Sequence, residues 1–452
     1  MVMNAPQRYD EYYFDEVDGF RLVWQPFSVV GLVVLNPESA FLFDLVDGNK
    51  SFTEILGLCQ KNDKAITQKT VMRILRDLES AQIIYWKQPR RVKIDVQHPK
   101  TLGIWMHTTN QCNLRCEYCY IHKTTANMNL ERGKQILSKI LVNAKEHQFE
   151  IVKFKYSGGE VLLRFDEAME LVRFGKDKSQ EIGIESQHVF LTNAVLMTLK
   201  KAKAIKEAGV RVMVSLDGPE VYHDQVRVFP SGKGSFQYVW RGITYLQLAQ
   251  VPFNVSITVT EKNVDGIPEL VQRLLEEKIP FVFNFFRENC EAGSDLMTVN
   301  EHLVSKMKEV YNIIEDNLPP YSMISGLLDR VSFGFPHLNA CGVGRNYLVI
   351  NQKGDLASCQ LEINRKIGSI DDSDPIQAMI DGNFMRPKGL TVDQKKPCNV
   401  CLWRYVCGGG CPLLTNSIKG RYDLSSPYCE VYRALIPDLL RLEAKRLIRY
   451  KF

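Results

Sequence analysis

The run Cys112-Asn113-Leu114-Arg115-Cys116-Glu117-Tyr118-Cys119 decides the fold, because it gathers three cysteines within eight residues. Three thiolates can hold three irons of a [4Fe–4S] cube and leave the fourth iron without a protein ligand. An iron in that state can bind a small molecule, so such a site can do chemistry as well as carry electrons. The spacing therefore predicts a catalytic iron–sulfur centre at Cys112, Cys116 and Cys119.

A zinc site is the alternative for these three cysteines. Zinc sites commonly combine paired C-x₂₋₄-C units and fill four positions. Here only His122 follows at close spacing as a fourth ligand. The cluster is the favoured interpretation, because other motifs in the same chain support it.

Bulk composition indicates an ordinary globular protein of several domains. The chain has 452 residues, of which 45% are hydrophobic and 24% charged, and its net charge is +5. This charge does not indicate a nucleic-acid partner, and no apolar run reaches the ~20 residues of a membrane span. The first residues show no apolar segment of the kind found in signal peptides, so no signal peptide is expected. Twelve cysteines in a chain expected to be cytoplasmic favour metal sites over disulfides.

Residues 1–90 are predicted to form a separate winged-helix-like domain. A hairpin of short strands is expected over residues 20–35, and Asn36 followed by Pro37 marks a helix start. Two more helices follow, the last with Thr67 as its cap, and then a strand. The exposed face of that last helix mixes acidic and basic residues, which argues against DNA binding. Residues 91–100 are predicted to be a linker.

From residue 101 to about 325, apolar strand-like runs alternate with helical patterns. This rhythm predicts a parallel sheet of the α/β class, with its chemistry at the carboxyl ends of the strands. The cysteine triplet follows the first strand. The predicted strands are Leu102–Thr108, Ile151–Tyr156, His188–Thr192, Val210–Leu216, Phe253–Val259 and Phe281–Phe286.

The triplet with its aromatic Tyr118 resembles the signature of radical S-adenosylmethionine (radical SAM) enzymes. This resemblance implies a partial (β/α)₆ barrel of the TIM type. It also implies that S-adenosylmethionine binds the free iron, and that a 5′-deoxyadenosyl radical then abstracts a hydrogen atom from the substrate.

Residues at the strand ends resemble the cofactor contacts of that family. Gly158, Gly159 and Glu160 match the motif that holds the methionine amino group, although Val161 replaces the usual proline. Asn193 belongs to a Thr-Asn-Gly motif in which Ala194 replaces the glycine.

Three further cofactor contacts are implied by the same resemblance. Tyr118 would lie near the adenine, Ser215 would contact the ribose or carboxylate, and Arg227 would pair with the methionine carboxylate. Asp217 is either a further contact or a residue that caps the turn.

Seven cysteines in residues 326–452 resemble a SPASM domain, which binds two auxiliary [4Fe–4S] clusters. The resemblance implies two ligand sets, Cys398, Cys401, Cys407 and Cys429 for one cluster, and Cys341, Cys359 and Cys411 for the other. The fourth ligand of the second set is open, with Cys290 as one option. One or two structural zinc ions are the competing interpretation.

The N-terminal segment resembles the PqqD-like domain that captures a leader peptide by strand addition. The three parts together resemble maturases of ribosomally made, post-translationally modified peptides. The implied substrate is a precursor peptide, and the expected reaction is a thioether or carbon–carbon crosslink. A flavodoxin or ferredoxin is the expected electron donor.

Three alternatives remain open for the function. They are excision of a peptide fragment, oxidation of Cys or Ser as in anaerobic sulfatase maturases, and a cluster-bearing scaffold without radical chemistry. The sulfatase maturases carry an acidic residue after the second cysteine of the cassette, where this chain has Gln360.

Overall fold

The computed structural model describes residues 5–89, 94, 99–289, 291–382 and 390–451. The predicted linker over residues 91–100 lies mostly outside these residues, as does Cys290. Within the described part of the chain, no helix is long and apolar enough to cross a lipid bilayer.

The N-terminal region has the predicted order of strands, three helices and a final strand. Its elements are β1 (Gln7–Arg8), β2 (Tyr13–Val17), β3 (Phe20–Trp24), β4 (Val33–Leu35), α1 (Pro37–Leu45), α2 (Phe52–Asn62), α3 (Gln68–Ser80) and β5 (Ile84–Tyr85). Strands β2, β3 and β4 form an antiparallel sheet, whereas β5 pairs with β1. The side chains of Asn36 and Thr67 cap α1 and α3 as predicted.

The middle of the chain alternates strands and helices. Its strands are β6 (Thr101–His107), β7 (Arg115–Cys116), β8 (Ile151–Ser157), β9 (Glu185–Thr192), β10 (Arg211–Ser215), β11 (Arg227–Val228), β12 (Phe253–Val259) and β13 (Phe281–Phe285). Its helices are α4 (Leu130–Glu146), α5 (Phe165–Ile182), α6 (Leu199–Glu207), α7 (Glu220–Val226), α8 (Phe236–Leu248), α9 (Ile267–Glu276) and α10 (Asn300–Asp316).

The six predicted strands are β6, β8, β9, β10, β12 and β13, which pair in parallel and in chain order. This arrangement is the one expected of the predicted α/β fold. Along β8, Val152, Phe154 and Tyr156 are fully buried. The alternate residues Lys153 and Lys155 therefore point to the opposite face of the sheet.

The C-terminal region extends the same sheet, which the sequence did not predict. Its elements are β14 (Tyr347–Ile350), β15 (Asp355–Ala357), β16 (Gly368–Ser369), α11 (Pro375–Asp381), α12 (Arg404–Cys407), α13 (Pro412–Lys419) and α14 (Cys429–Lys451). Strand β14 pairs in parallel with β6, and β15 and β16 follow antiparallel, giving a mixed sheet of nine strands. Cys341 and Cys359, which flank β14 and β15 in the chain, are thereby connected to the edge of the sheet next to β6, the strand that leads into the first cysteine loop.

Aromatic rings join the N-terminal sheet to the C-terminal region. The rings of Trp24 in β3 and Trp403 have centroids 5.1 Å apart, and Tyr13 in β2 also packs on Trp403 at 5.2 Å. Next to them, Arg404 forms an ion pair with Glu11 at 2.8 Å. The N-terminal region is therefore packed against the chain between Cys401 and Cys407.

Ala194 has a φ of +57°, a left-handed conformation that favours glycine. Glycine adopts this conformation without strain, which accounts for the glycine in the Thr-Asn-Gly motif of the family that this chain resembles. Helix α8 lies so close to Ala194 that a Cβ on Gly242 would stand 2.3 Å from the Ala194 carbonyl oxygen. Gly242 is therefore required for this helix to pack at the end of β9.

We expect Gly242→Ala to lower the free energy of unfolding by about 1–3 kcal/mol, because the added methyl group overpacks a backbone contact. The thermal unfolding midpoint, followed by circular dichroism, should fall. Gly57→Ala is the matched control in helix α2, because a Cβ there meets nothing within 4 Å. Alanine has a higher helix propensity than glycine, so the unfolding midpoint of Gly57→Ala should stay the same or rise. Equal midpoints for both variants would contradict the proposed contact.

Candidate functional site

The three cysteines Cys112, Cys116 and Cys119 lie in the loop that follows β6, at the carboxyl end of the sheet. The short strand β7 within this loop pairs antiparallel with β11, so that Cys116 lies opposite Arg227. The Glu117 backbone N–H also donates to the Val226 carbonyl over 3.0 Å. The loop is thereby attached to the segment that carries Arg227.

The three thiols are half-buried and surrounded by donors. The Leu114 N–H approaches the Cys112 sulfur at 3.4 Å, and the Lys123 ammonium approaches the Cys119 sulfur at 2.9 Å. Burial raises the pKa of Cys116 to about 12, with Cys119 and Cys112 adding to the effect of burial. Thiols in such a place become thiolates only beside a strong positive charge, which a bound metal centre supplies. A donor set of three thiols fits an iron–sulfur cluster.

Gly158 and Gly159 let the turn after β8 lie directly against the cysteine loop. The Gly159 N–H donates to the Thr109 carbonyl at 2.6 Å, and the Glu160 N–H donates to the Gln111 carbonyl at 2.9 Å. A Cβ on Gly159 would lie 2.0 Å from the Gln111 oxygen. These glycines therefore have a role within the chain, in addition to the cofactor contact predicted for them.

The Glu160 carboxylate is buried and held by three donors. Its Oε1 accepts from the Leu162 N–H at 2.9 Å and from the Thr192 hydroxyl at 2.6 Å, and its Oε2 accepts from the Asn193 N–H at 2.7 Å. Burial raises the pKa of this carboxyl group, although the three hydrogen bonds oppose the rise. Since a carboxylate has about four acceptor positions, one position remains for a further donor.

Asn193 connects Glu160 to the cysteine loop. Its side-chain amide donates to the Asn113 side chain at 2.9 Å and lies 3.9 Å from the Cys112 sulfur. Its own side-chain oxygen accepts from the Val195 N–H. Asn193 is therefore next to the cysteine triplet.

Tyr118, Asp217 and Arg227 form a buried triad. The Arg227 guanidinium donates to the Tyr118 hydroxyl and forms an ion pair with Asp217 at 3.3 Å, while Tyr118 donates to the same carboxylate. Asp217 also accepts from the Thr258 N–H at 2.8 Å. Burial opposes the charge on Arg227, yet Cys116, Tyr118 and Asp217 more than offset it and raise its pKa. Arg227 Nε is buried without a hydrogen-bond partner in the described structure.

Asp217 therefore does more than cap a turn, which the sequence left open. Its carboxylate fixes the positions of both Tyr118 and Arg227. The hydroxyl of Tyr118 is engaged in this triad, while its ring packs against Phe286, Ala292 and Leu296.

Electrostatic effects among the C-terminal thiols show which of them lie near one another. Burial raises the pKa of Cys407 to about 12, and the charges of Cys398, Cys401 and Cys429 add to the rise, so these four thiols are neighbours. Burial likewise raises the pKa of Cys359 to about 12, with contributions from Cys411 and Cys341. Across the described residues, no three or more His, Cys, Asp or Glu side chains converge closely enough to hold a single metal ion.

A cavity of about 870 Å³ extends from the residues beside the first cysteine loop to one group of C-terminal thiols. It is large enough for several amino-acid side chains. Its lining includes Tyr118, Ser215 and Arg227 from the first site, and Cys341, Cys359 and Cys411 from the second set of thiols. Gln360 also lines it and accepts a hydrogen bond from the Tyr347 hydroxyl at 2.8 Å.

Several residues that line the cavity were not identified from the sequence. Arg287 and Asp329 form a buried ion pair, and Arg330 lies 3.7 Å from the same Asp329. Lys155 projects from β8 into the cavity. Only Lys155 carried a usable signal, because charged residues at alternate positions of an otherwise apolar strand mark the face away from the helices.

Comparison with known proteins agrees with this geometry. Residues 106–274 match the radical SAM superfamily. The cysteine-type anaerobic sulfatase-maturating enzyme of Clostridium perfringens is 24% identical over 355 residues, covering 71% of this chain and 91% of the relative.

Two solved structures are similar in fold. One is anSMEcpe with bound AdoMet and Cp18Cys peptide, with a TM-score of 0.63 at 20% identity over 77% of this chain and 99% of that one. The other is Streptococcus suis SuiB bound to precursor peptide SuiA, with a TM-score of 0.55 at 14% identity over 94% and 100%. At these identities the likeness concerns the fold alone.

We expect Asp217→Asn to destabilise the protein by about 3–5 kcal/mol, because it leaves the buried Arg227 guanidinium without its carboxylate. The thermal unfolding midpoint should fall clearly. Asp371→Asn is the control, since Asp371 pairs with Arg132 through two hydrogen bonds of 2.7 and 2.6 Å at the exposed surface. Exposed pairs contribute little, so this midpoint should stay close to that of the parent. A similar small change in both variants would show that the triad does not depend on Asp217.

Proposed function

We propose that this chain, whose residues 106–274 form a radical SAM domain, modifies a ribosomally made precursor peptide. In this proposal Cys112, Cys116 and Cys119 hold a [4Fe–4S] cluster whose fourth iron binds S-adenosylmethionine. When bound, the two groups supply one-electron reduction and hydrogen-atom abstraction. The expected product is a peptide with a new thioether or carbon–carbon crosslink.

The cavity is the observation that carries this proposal. It extends from Tyr118 and Arg227 to the thiols of Cys341, Cys359 and Cys411. A peptide side chain in this space would be accessible from both ends. The cavity therefore suits a reaction that uses both the cofactor and a second sulfur-ligated centre.

Residues near Cys112, Cys116 and Cys119 fit the ammonium and carboxylate groups of the methionine part of S-adenosylmethionine. Glu160 keeps one open acceptor position, which fits an ammonium group. The buried Arg227 Nε has no partner in the described structure, and a guanidinium fits a carboxylate. Ser215, the last residue of β10, also lines the cavity.

Two auxiliary clusters are part of the proposal. Cys398, Cys401, Cys407 and Cys429 would hold one completely, since each thiol can take one iron. The remaining set of three would hold the other at three corners. Cys290, the option considered for its fourth corner, lies outside the described residues.

The N-terminal sheet is proposed to bind the leader segment of the precursor. Strands β2 and β4 end this sheet on either side, without a further strand in the described structure. An extended peptide adds to such an edge through main-chain hydrogen bonds. The proposed electron donor, a flavodoxin or ferredoxin, is a separate partner.

Oxidation of a Cys or Ser side chain is the second candidate. The similarity to a sulfatase-maturating enzyme over 71% of this chain favours it. The neutral amide of Gln360 counts against it, because the carboxylate expected after the second cassette cysteine is missing. Excision of a peptide fragment and a scaffold without radical chemistry remain further alternatives.

The test begins by asking whether a short open reading frame lies next to the gene. A peptide encoded there is co-expressed with this chain, and its mass is measured by mass spectrometry. A crosslink and oxidation of one Ser side chain to an aldehyde both remove two hydrogens, so fragmentation of the peptide must show whether two residues are joined or one residue is oxidised. Loss of the mass of a backbone fragment indicates excision. An unchanged mass in every candidate peptide would contradict the proposal. Formation of 5′-deoxyadenosine under a strong reductant tests the radical chemistry separately, and its absence would favour the scaffold.

We expect replacement of Cys112, Cys116 and Cys119 with alanine to abolish both 5′-deoxyadenosine and the peptide mass change. Cys359→Ala should keep 5′-deoxyadenosine formation and lose the mass change, because this thiol lies at the far end of the cavity. Cys59→Ala is the control, since Cys59 is buried in the separate core of the N-terminal helices. It should alter neither measurement. A modified peptide from the Cys359 variant would contradict the role of the second set.

A further inference from the structure

Lys155 is the one charged residue that the six parallel strands contribute to the described lining of the cavity. It lies on β8, two residues before the strand ends, opposite Trp105 of β6 in the register of the sheet. The backbone of Lys155 is therefore deeper in the sheet than Glu160 and Asn193, which follow the strand ends.

The other cations of the cavity have anionic neighbours. Arg227 pairs with Asp217 at 3.3 Å, and both Arg287 and Arg330 face Asp329. Arg330 also lies near the thiols of the Cys341, Cys359 and Cys411 set.

Lys155, in contrast, has no hydrogen bond or ion pair within the described structure. Burial lowers the pKa of Lys155 to about 8, and the positive charges of Lys153 and Arg330 add to this effect. A half-buried ammonium group beside two other cations is unfavourable without an anion. An anionic ligand in the cavity would supply the missing charge and a charge-assisted hydrogen bond.

We propose that the cavity binds a carboxylate group of the substrate peptide through Lys155. This inference rests on the proposed function, because it assumes that a peptide enters the cavity. It adds the class of substrate, a peptide with an acidic side chain or a free carboxyl terminus at the segment that enters. Held there, the carboxylate would fix which neighbouring residue faces the cofactor.

The carboxylate of S-adenosylmethionine is the alternative anion that could pair with Lys155. Glu160 follows the end of β8, and Arg227 lies in β11 opposite Cys116, whereas Lys155 lies within β8. The geometry therefore assigns Arg227 to the cofactor and leaves Lys155 for the substrate.

The test measures binding by calorimetry to the full chain, purified anaerobically, loaded with iron and saturated with S-adenosylmethionine. The probes are N-acetylglutamate amide against N-acetylglutamine amide, and N-acetylglycine against N-acetylglycinamide. We expect the acidic member of at least one pair to bind about tenfold more tightly. The first pair reports a side-chain carboxylate and the second a terminal one.

The preference should disappear in Lys155→Met and persist in Lys155→Arg. Lys153→Met is the matched control, because Lys153 lies on the same face of β8 and outside the described lining of the cavity; it should keep the preference. Equal binding of acids and amides would overturn the inference, as would a preference that survives in Lys155→Met. A loss of S-adenosylmethionine affinity in Lys155→Met, with the probe preference unchanged, would assign the lysine to the cofactor instead.

Binding of the probes requires no turnover, so the two proposals can fail separately. A preference for acids in protein that forms no 5′-deoxyadenosine would support the carboxylate site and contradict the radical chemistry. Formation of 5′-deoxyadenosine without any preference for acids would support the radical chemistry and contradict the carboxylate site.

Discussion

The close approach of two backbone segments is the constraint on which the site depends. The turn at Gly159 lies against the cysteine loop, with its N–H 2.6 Å from the Thr109 carbonyl and no space for a Cβ beside Gln111. This contact brings Glu160 next to Asn193, and Asn193 next to Cys112. Backbone hydrogen bonds therefore join the ends of β6 and β8, and the side chains of Glu160 and Asn193 extend this link to the end of β9.

A second link fixes the cysteine loop from the other side. The pairing of β7 with β11 holds Cys116 opposite Arg227, and the buried Asp217 holds the Arg227 side chain. Burying a guanidinium is unfavourable unless a carboxylate is supplied with it. The tyrosine of the cysteine motif completes the triad, so the same short loop contains the three thiols and the hydroxyl that accepts from the arginine.

Much of the fold could be predicted from the sequence, because long strands and helices carry their own periodicity. The six parallel strands and the caps at Asn36 and Thr67 follow from local patterns. Strands β14, β15 and β16 have two to four residues, too few for a period, and β14 pairs with a strand that is distant in the chain. Their addition to the sheet could not be predicted.

Residues of the candidate site could be identified from the sequence where they belong to a recognisable motif. The proposed grouping of the C-terminal thiols rests on a resemblance, since spacing alone does not assign cysteines to sets. The triad role of Asp217 and the cavity position of Lys155 depend on tertiary packing. Ala194 is a useful contrast, because its departure from the usual glycine was visible in the sequence, whereas its left-handed backbone was visible only in the structure.

The central claim is that the cluster held by Cys112, Cys116 and Cys119 leaves one iron for S-adenosylmethionine. Electron–nuclear double resonance on the reduced, anaerobic protein tests it directly, with the cofactor labelled with ¹⁵N at its amino group. The account predicts a nitrogen coupling to the cluster that disappears in Glu160→Ala. A reduced cluster at these cysteines with saturating cofactor and no such coupling would contradict it.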